Sequence, residues 1–289
     1  MILERKNNWL DIYDKNIHSQ HGEDGKIEKI LEVIGCTHSG WCVEFGAWDG
    51  IYNSNTYNLI ENKKFNAVLI EGSFEKFYEL KKNMQNFPVT CIRELVGFGE
   101  NNNLDKLLKS TRIPNSFDVL VIDIDGNDYH VWKSITAYRP KLIVIEFNPT
   151  IPDEIEFIQE PMSHLNHGAS LKSLIFLGKE KKYELVATTL NNAFFVDEKY
   201  YSNFNITDNS IEKLHTNKSR ITYLFSGYDG TIFIRGYGEL DLHGIRFNEK
   251  KMQLIPKILR GFSDSSGGLS IAKKLVKKAY SSMKKRGLI

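Results

Sequence analysis

Two segments of this chain end apolar runs in acids. VLVIDIDGND spans 119–128 and LIVIEFN spans 142–148. Read as strands, their alternation puts Asp123 and Asp125 on one side, and Glu146 and Asn148 likewise. Adjacent strand ends would then gather three carboxylates and an amide. Such an oxygen-rich set suits a hard cation such as Mg²⁺ or Mn²⁺, or Ca²⁺. In the plainer alternative, Asp123 and Asp125 cap the following helix and Glu146 bonds a backbone amide. His130, one turn beyond the aspartates, and His164 and His167, in the irregular stretch after residue 150, are the candidate proton acceptors. His18, His21, His215 and His243 are less well placed.

A second constellation lies upstream. Glu44, Gly46 and Gly50 fall in VEFGAWDG (43–50), and Glu71 closes the next apolar run, followed by Gly72. In an open α/β sheet, ligands bind outside the carboxyl ends of the strands. An acid at the second strand end is placed to accept hydrogen bonds from ribose hydroxyls. The glycine spacing is not the G-x-G-x-x-G of dinucleotide binding, which disfavours an NAD-dependent enzyme. Glu44 before the loop would repel a pyrophosphate and suits a cationic cofactor. S-adenosylmethionine, with its sulfonium and ammonium groups, is such a cofactor.

These residues need a scaffold. Apolar runs predict strands over Trp41–Phe45, Ala67–Glu71, Val89–Arg93, Val119–Asp123 and Leu142–Phe147. Helical stretches are expected between them, near Ser54–Glu61, Phe74–Met84, Leu104–Lys109 and Tyr129–Ile135. An amphipathic helix carrying Ile27, Ile30, Leu31 and Ile34 precedes them and stops at Gly35. Strands that are apolar almost throughout imply a parallel sheet covered on both faces. A helix over 169–181 leads to two strands, Tyr183–Thr188 and Ala193–Asp197. Their short Asn-rich link predicts an antiparallel hairpin.

The chain has 289 residues, 41% hydrophobic and 26% charged, enough for a sizeable core. No apolar stretch approaches the roughly 20 residues of a spanning helix, and MILERKNNWL does not read as a signal peptide. Cys36, Cys42 and Cys91 form no C-x-x-C pattern, in keeping with a reducing cytoplasm. Residues 265–289 hold seven basic residues and no acid; with a total of +2, the first 264 residues carry −5. The body is therefore not a nucleic-acid binder by bulk charge. Ala272, Leu275, Val276, Ala279, Tyr280 and Met283 recur at helical spacing among Lys273, Lys274, Lys277, Lys278, Lys284, Lys285 and Arg286. A basic amphipathic helix of this kind lies on anionic membrane surfaces, docks on an acidic partner, or packs on its own protein.

VEFGAWDGIYNSNTYNLIENKKFNAVLIEG resembles the cofactor-binding half of class I S-adenosylmethionine-dependent methyltransferases. Within that group, SQHGEDG (19–25), SNTY (54–57), VIDIDGNDYHVW (121–132), IVIEFNP (143–149), GASLKSL (168–174) and NNAFFV (191–196) resemble the FkbM-like family. The likeness covers about residues 18–197. It implies a Rossmann-like α/β fold, a seven-stranded, mostly parallel sheet with a reversed last strand. It further implies that Glu44 and Gly46 face the methionine part of the cofactor, that Asn55 and Thr56 close over its carboxylate, and that Gln20 and Asp24 reach it from the N-terminal helix. Helix capping is the plain alternative for the last four. Members commonly O-methylate sugars and other natural products. The resulting expectation is a methyltransferase domain over 1–199, an α+β extension over 200–262 with a hairpin turning at Tyr228–Gly230, and a linker with a basic helix over 263–289. The acceptor is expected to be a sugar or nucleotide-linked precursor of a bacterial surface polysaccharide, in a cytoplasmic protein that contacts the membrane peripherally and self-associates. The alternative is a non-catalytic nucleotide-binding or scaffold protein.

Overall fold

Strands as apolar as these must be buried on both faces, and that requirement shapes the first unit. The computed structural model describes residues 6–162, 164–241, 243–257, 260 and 271–286. The chain divides into two compact units, Met1–Lys218 and Ser219–Ile289. The first opens with α1 (Glu23–Val33) and β1 (Trp41–Phe45), then α2 (Tyr57–Lys63), β2 (Asn66–Ile70), α3 (Phe74–Asn83) and β3 (Val89–Ile92). It continues through α4 (Leu104–Leu108), β4 (Val119–Ile122), α5 (Asp128–Ser134), β5 (Leu142–Glu146) and α6 (Leu171–Glu180). It ends with β6 (Tyr183–Thr188), β7 (Asn192–Asp197), α7 (Glu198–Tyr201) and α8 (Ile211–Leu214).

The seven strands form one sheet in the order β3-β2-β1-β4-β5-β7-β6. β1 to β5 are parallel, and β7 enters antiparallel between β5 and β6. This is the mostly parallel Rossmann-like sheet with a reversed last strand that the sequence predicts. One face packs Val119, Val121, Val144 and Phe194 under Ile27, Ile30 and Leu31 of α1. The other packs Leu120, Ile143 and Phe195 under Trp132 and Leu174.

Alternation places the strand-end acids. Glu44 is in step with Cys42, Asp123 with Val119 and Val121, and Glu146 with Leu142 and Val144, all on the face that α1 covers. Asn192 pairs directly opposite Glu146 and shares that face. The order β1-β4-β5-β7 therefore lines these four side chains along one edge. Lys26, almost fully buried in α1, holds the preceding segment down: its Nζ bonds Asp11 Oδ1 at 3.0 Å, Asp14 Oδ1 at 2.8 Å and the Thr188 carbonyl at 2.7 Å.

The second unit contains the expected hairpin, β8 (Thr222–Ser226) and β9 (Ile232–Gly236), then β10 (Glu239–Leu240), β11 (Ile245–Arg246) and α9 (Ile271–Lys285). The linker expected at 263–268 lies outside the described residues. No described helix is long and apolar enough to cross a membrane.

Gly46 sits where β1 and β4 end side by side. Its φ is +69°, and a Cβ there would stand 2.5 Å from the Asp123 carbonyl oxygen. Gly46→Ala combines left-handed strain with overlap against a backbone atom, a cost of about 2–4 kcal/mol. For a unit of this size, calorimetry should show the melting temperature lowered by roughly 4–16 °C.

Candidate active site

The loop after β1 is organised by the Glu44 carboxylate. It is buried and accepts hydrogen bonds from Ser54 Oγ (2.6 Å), Asn55 N (2.9 Å) and Thr56 Oγ1 (2.6 Å). These bonds tie residues 54–56 to the end of β1, and α2 starts at Tyr57 rather than at Ser54. Thr56 is the N-cap residue but makes no side-chain cap bond, because its hydroxyl is spent on Glu44. Burial raises the Glu44 pKa, opposed by these donors, and Asp24 adds a smaller upward push. Gly50, at φ +78°, lets the loop lie on α3; a Cβ there would meet Leu80 Cδ1 at 2.6 Å.

Glu71 follows β2 and is partly exposed. Its two carboxylate oxygens accept the Trp48 and Ser73 backbone N–H groups at 2.9 and 2.7 Å. Each oxygen retains a second lone pair for a hydroxyl donor. Trp48 and Tyr52, both exposed, stand 6.2 Å apart on the same loop.

Asp24 reaches back from α1. Its Oδ2 accepts Ile17 N, His18 N, Ser19 N and Ser19 Oγ, each at 2.8 Å. It thereby fixes the SQHGEDG turn; Gln20 is exposed on it. Glu23 accepts from Thr189 Oγ1 at 2.7 Å and Asn192 Nδ2 at 3.4 Å, tying α1 to the β6–β7 link. Asp24 Oδ1, Asn55 Oδ1, Asn191 Oδ1 and Asn192 Oδ1 are buried and accept no hydrogen bond.

Past β4 and β5 the carboxylates converge. One oxygen each of Asp123, Asp125 and Glu146 lies within 4.8 Å of the others. Burial pushes the Asp123 pKa up to about 8, with Asp128, Asp125 and Glu44 adding to the rise. Glu146 is raised well above its ordinary value by burial and then by Asp123. Its Oε1 accepts from Asn191 Nδ2 at 3.2 Å. Neither aspartate caps α5, whose N-cap residue Asn127 makes no side-chain cap bond; Asp128 instead accepts the Ile124 and Gly126 N–H groups of the preceding turn at 2.9 Å each. Asp125, exposed and at φ +56°, turns outward beside the cluster.

The remaining candidates have other partners. Asn148 Oδ1 accepts from Thr150 N and Thr150 Oγ1, and its Nδ2 donates to the His167 carbonyl. His130 Nε2 lies 2.8 Å from the Gln159 carbonyl, an acceptor only, so that nitrogen carries the proton. The His164 and His167 side chains are exposed. Gln159, which the sequence reading missed, stitches this end together: its Oε1 accepts His167 N and Gly168 N, and its Nε2 donates to Asn127 Oδ1 and the Leu165 carbonyl. A second omission is the buried pair His215 Nδ1–Asp153 Oδ1 at 2.6 Å, with Lys218 Nζ on Asp153 Oδ2. His215 packs edge-on against Phe147.

Residues 50–185, from the Gly50 turn into β6, match the sequence model of the methyltransferase FkbM domain. The likeness to the methyltransferase FkbM domain thus covers just under half of the chain. No curated protein matches it significantly. Among solved structures, M. capricolum TrmK in complex with S-adenosyl-homocysteine shares 12% identity, over 58% of this chain and 67% of that one, with a TM-score of 0.36. A TehB-like methyltransferase from Corynebacterium glutamicum shares 10% over 65% and 92%, with a TM-score of 0.39. An S-adenosylmethionine-dependent methyltransferase from Aquifex aeolicus shares 10% over 66% and 98%, with a TM-score of 0.38.

The residues at this end of the sheet fit a cationic cofactor such as S-adenosylmethionine. The four unpartnered oxygens are acceptors, and they flank Glu44, Asp123 and Glu146. A cationic ligand that brings hydrogen-bond donors offsets both the like-charge repulsion and the missing bonds.

In the ligand-free protein, the raised pKa of Asp123 has a defined sign. The folded state binds its proton more tightly than the unfolded chain. The associated stability is complete below about pH 4 and is lost as pH rises through about 8. The melting temperature should therefore decline from pH 5 to pH 8.5, and Asp123→Asn should make that decline shallower, as read by calorimetry across buffers.

Proposed function

We propose that the FkbM domain transfers a methyl group to a hydroxyl oxygen of a small molecule. The convergence of Asp123, Asp125 and Glu146 within 4.8 Å carries this reading. A hydroxyl must lose its proton as its oxygen bonds to carbon, and a neutral alcohol releases that proton only to a placed acceptor. With a pKa of about 8, Asp123 is matched to that task near neutral pH. Glu146, held by Asn191, is placed to keep the acceptor oxygen in line.

When bound, S-adenosylmethionine supplies an electrophilic methyl group on a sulfonium. Glu71 accepts hydrogen bonds from the ribose hydroxyls with its free lone pairs. Asn55, Asp24 and Asn192 supply acceptors for the ammonium end, and Glu44 keeps the loop that carries Asn55 in place. Asp123 would take the proton that the acceptor hydroxyl gives up. A sugar or nucleotide-linked precursor of a surface polysaccharide is the acceptor class that the FkbM likeness suggests.

The same three carboxylates support a second reading, in which Mg²⁺ or Mn²⁺ bound there lowers the hydroxyl pKa. With the Asn148 amide engaged by Thr150 and His167, the chain would offer carboxylates alone, and Asp123, Asp125 and Glu146 would hold the ion. EDTA separates the readings: activity that survives it favours Asp123 as the proton acceptor, and activity lost and restored by Mg²⁺ or Mn²⁺ favours the metal reading.

Two substitutions test the assignment. Asp123→Asn should lower turnover about 10²–10⁴-fold while cofactor affinity, measured by calorimetry, changes little. Glu71→Ala should weaken S-adenosylmethionine binding roughly tenfold or more. Absence of cofactor binding in the folded wild-type chain would return the scaffold reading.

A further inference from the structure

We infer that α9 docks on an anionic lipid surface. The helix has 15 residues and spans about 22 Å at 1.5 Å per residue. At about 100° per residue, Ile271, Leu275, Val276, Ala279, Tyr280 and Met283 fall in one half of its circumference. Lys274, Lys278, Lys284 and Lys285 fall in the other. Lys278 and Lys284 lie toward the two borders of the apolar half.

Much of the apolar half is uncovered, Val276 and Tyr280 being partly covered. Ile271 is 79% exposed, Leu275 63% and Met283 42%, and none of the described side chains of α9 is buried. This disfavours packing on its own protein, because an amphipathic helix is held mainly by burial of its apolar face. The charge is equally unbalanced. Residues 265–289 carry seven basic groups and no acid, so no i,i+4 ion pair relieves their repulsion.

A single occupant answers both imbalances along the whole helix. An anionic bilayer offers an apolar layer for the one half and lipid phosphates for the other, with the border lysines reaching up to the headgroups. The apolar half holds one aromatic, Tyr280, one serine, Ser282, and otherwise aliphatic or thioether groups. Attraction to the anionic headgroups therefore supplies much of the affinity, which should fall with ionic strength.

The test is co-sedimentation of the full chain with vesicles of phosphatidylcholine, with and without roughly 30% phosphatidylglycerol, at about 50 and 500 mM salt. Binding is expected to the phosphatidylglycerol vesicles, weakened more than tenfold by the higher salt and by Lys274→Glu/Lys278→Glu. Leu275→Asp should also weaken it beyond the effect of Leu275→Lys, since both remove the apolar group and only one lowers the positive charge. Binding of all these variants equal to wild type overturns the inference. So does a wild-type chain that ignores the vesicles, and an acidic protein partner would then be the occupant. Melting of the first unit, followed in parallel, confirms that each variant is folded.

Discussion

The buried carboxylate of Glu44 is the interaction on which the cofactor end depends. It stands at the end of β1, the strand between β2 and β4, and draws Ser54, Asn55 and Thr56 onto itself. A buried carboxylate is costly unless its lone pairs are filled. Three donors from one short segment fill them, and they fix both where α2 begins and where the Asn55 amide is held. Replacing any one donor leaves a buried oxygen short of a partner, so the loop tolerates little change.

A second constraint follows from the first. Parallel strands with a common alternation bring Glu44, Asp123 and Glu146 to one face, and the hairpin adds Asn192 beside them. Like charges so close cannot all ionise, and burial sharpens the conflict. The protein accepts raised pKa values at Asp123 and Glu146 in return for a row of acceptors. That row is unfavourable for stability in isolation and well suited to a positively charged ligand. The same logic explains Lys26: its ammonium is buried only because two aspartates and a carbonyl surround it.

The sheet was legible because its strands are continuous apolar runs and its turns carry Gly or Asn. The meeting of Asp123 and Glu146 was legible too, since strand-end position and period-two alternation locate them; Asp125 joins them from the turn after β4, where alternation no longer applies. What could not be read were partners supplied by irregular chain. Asn148 and His130 are engaged by residues of the segment after β5, where no periodicity sets direction. Asp24 looks like a first-turn cap, yet its bonds run to residues 17–19 before the helix. The His215–Asp153 pair joins two loops 62 residues apart, and nothing in either sequence signals the other.

The ties between α1 and the final strands also govern how the site comes into being. Glu23 is bonded by Thr189 and Asn192, 166 and 169 residues later, and Trp9 Nε1 donates to the Phe204 carbonyl across 195 residues. Closing loops of this length costs entropy before any contact repays it, and such topologies fold slowly. On a growing chain, β1 to β5 can assemble while α1 still lacks its partners. The acid row gains its cover only when the antiparallel strand β7 slots in beside β5. The ligand end is thus completed last, and a chain stopped before residue 190 would have most of its sheet and an unfinished site.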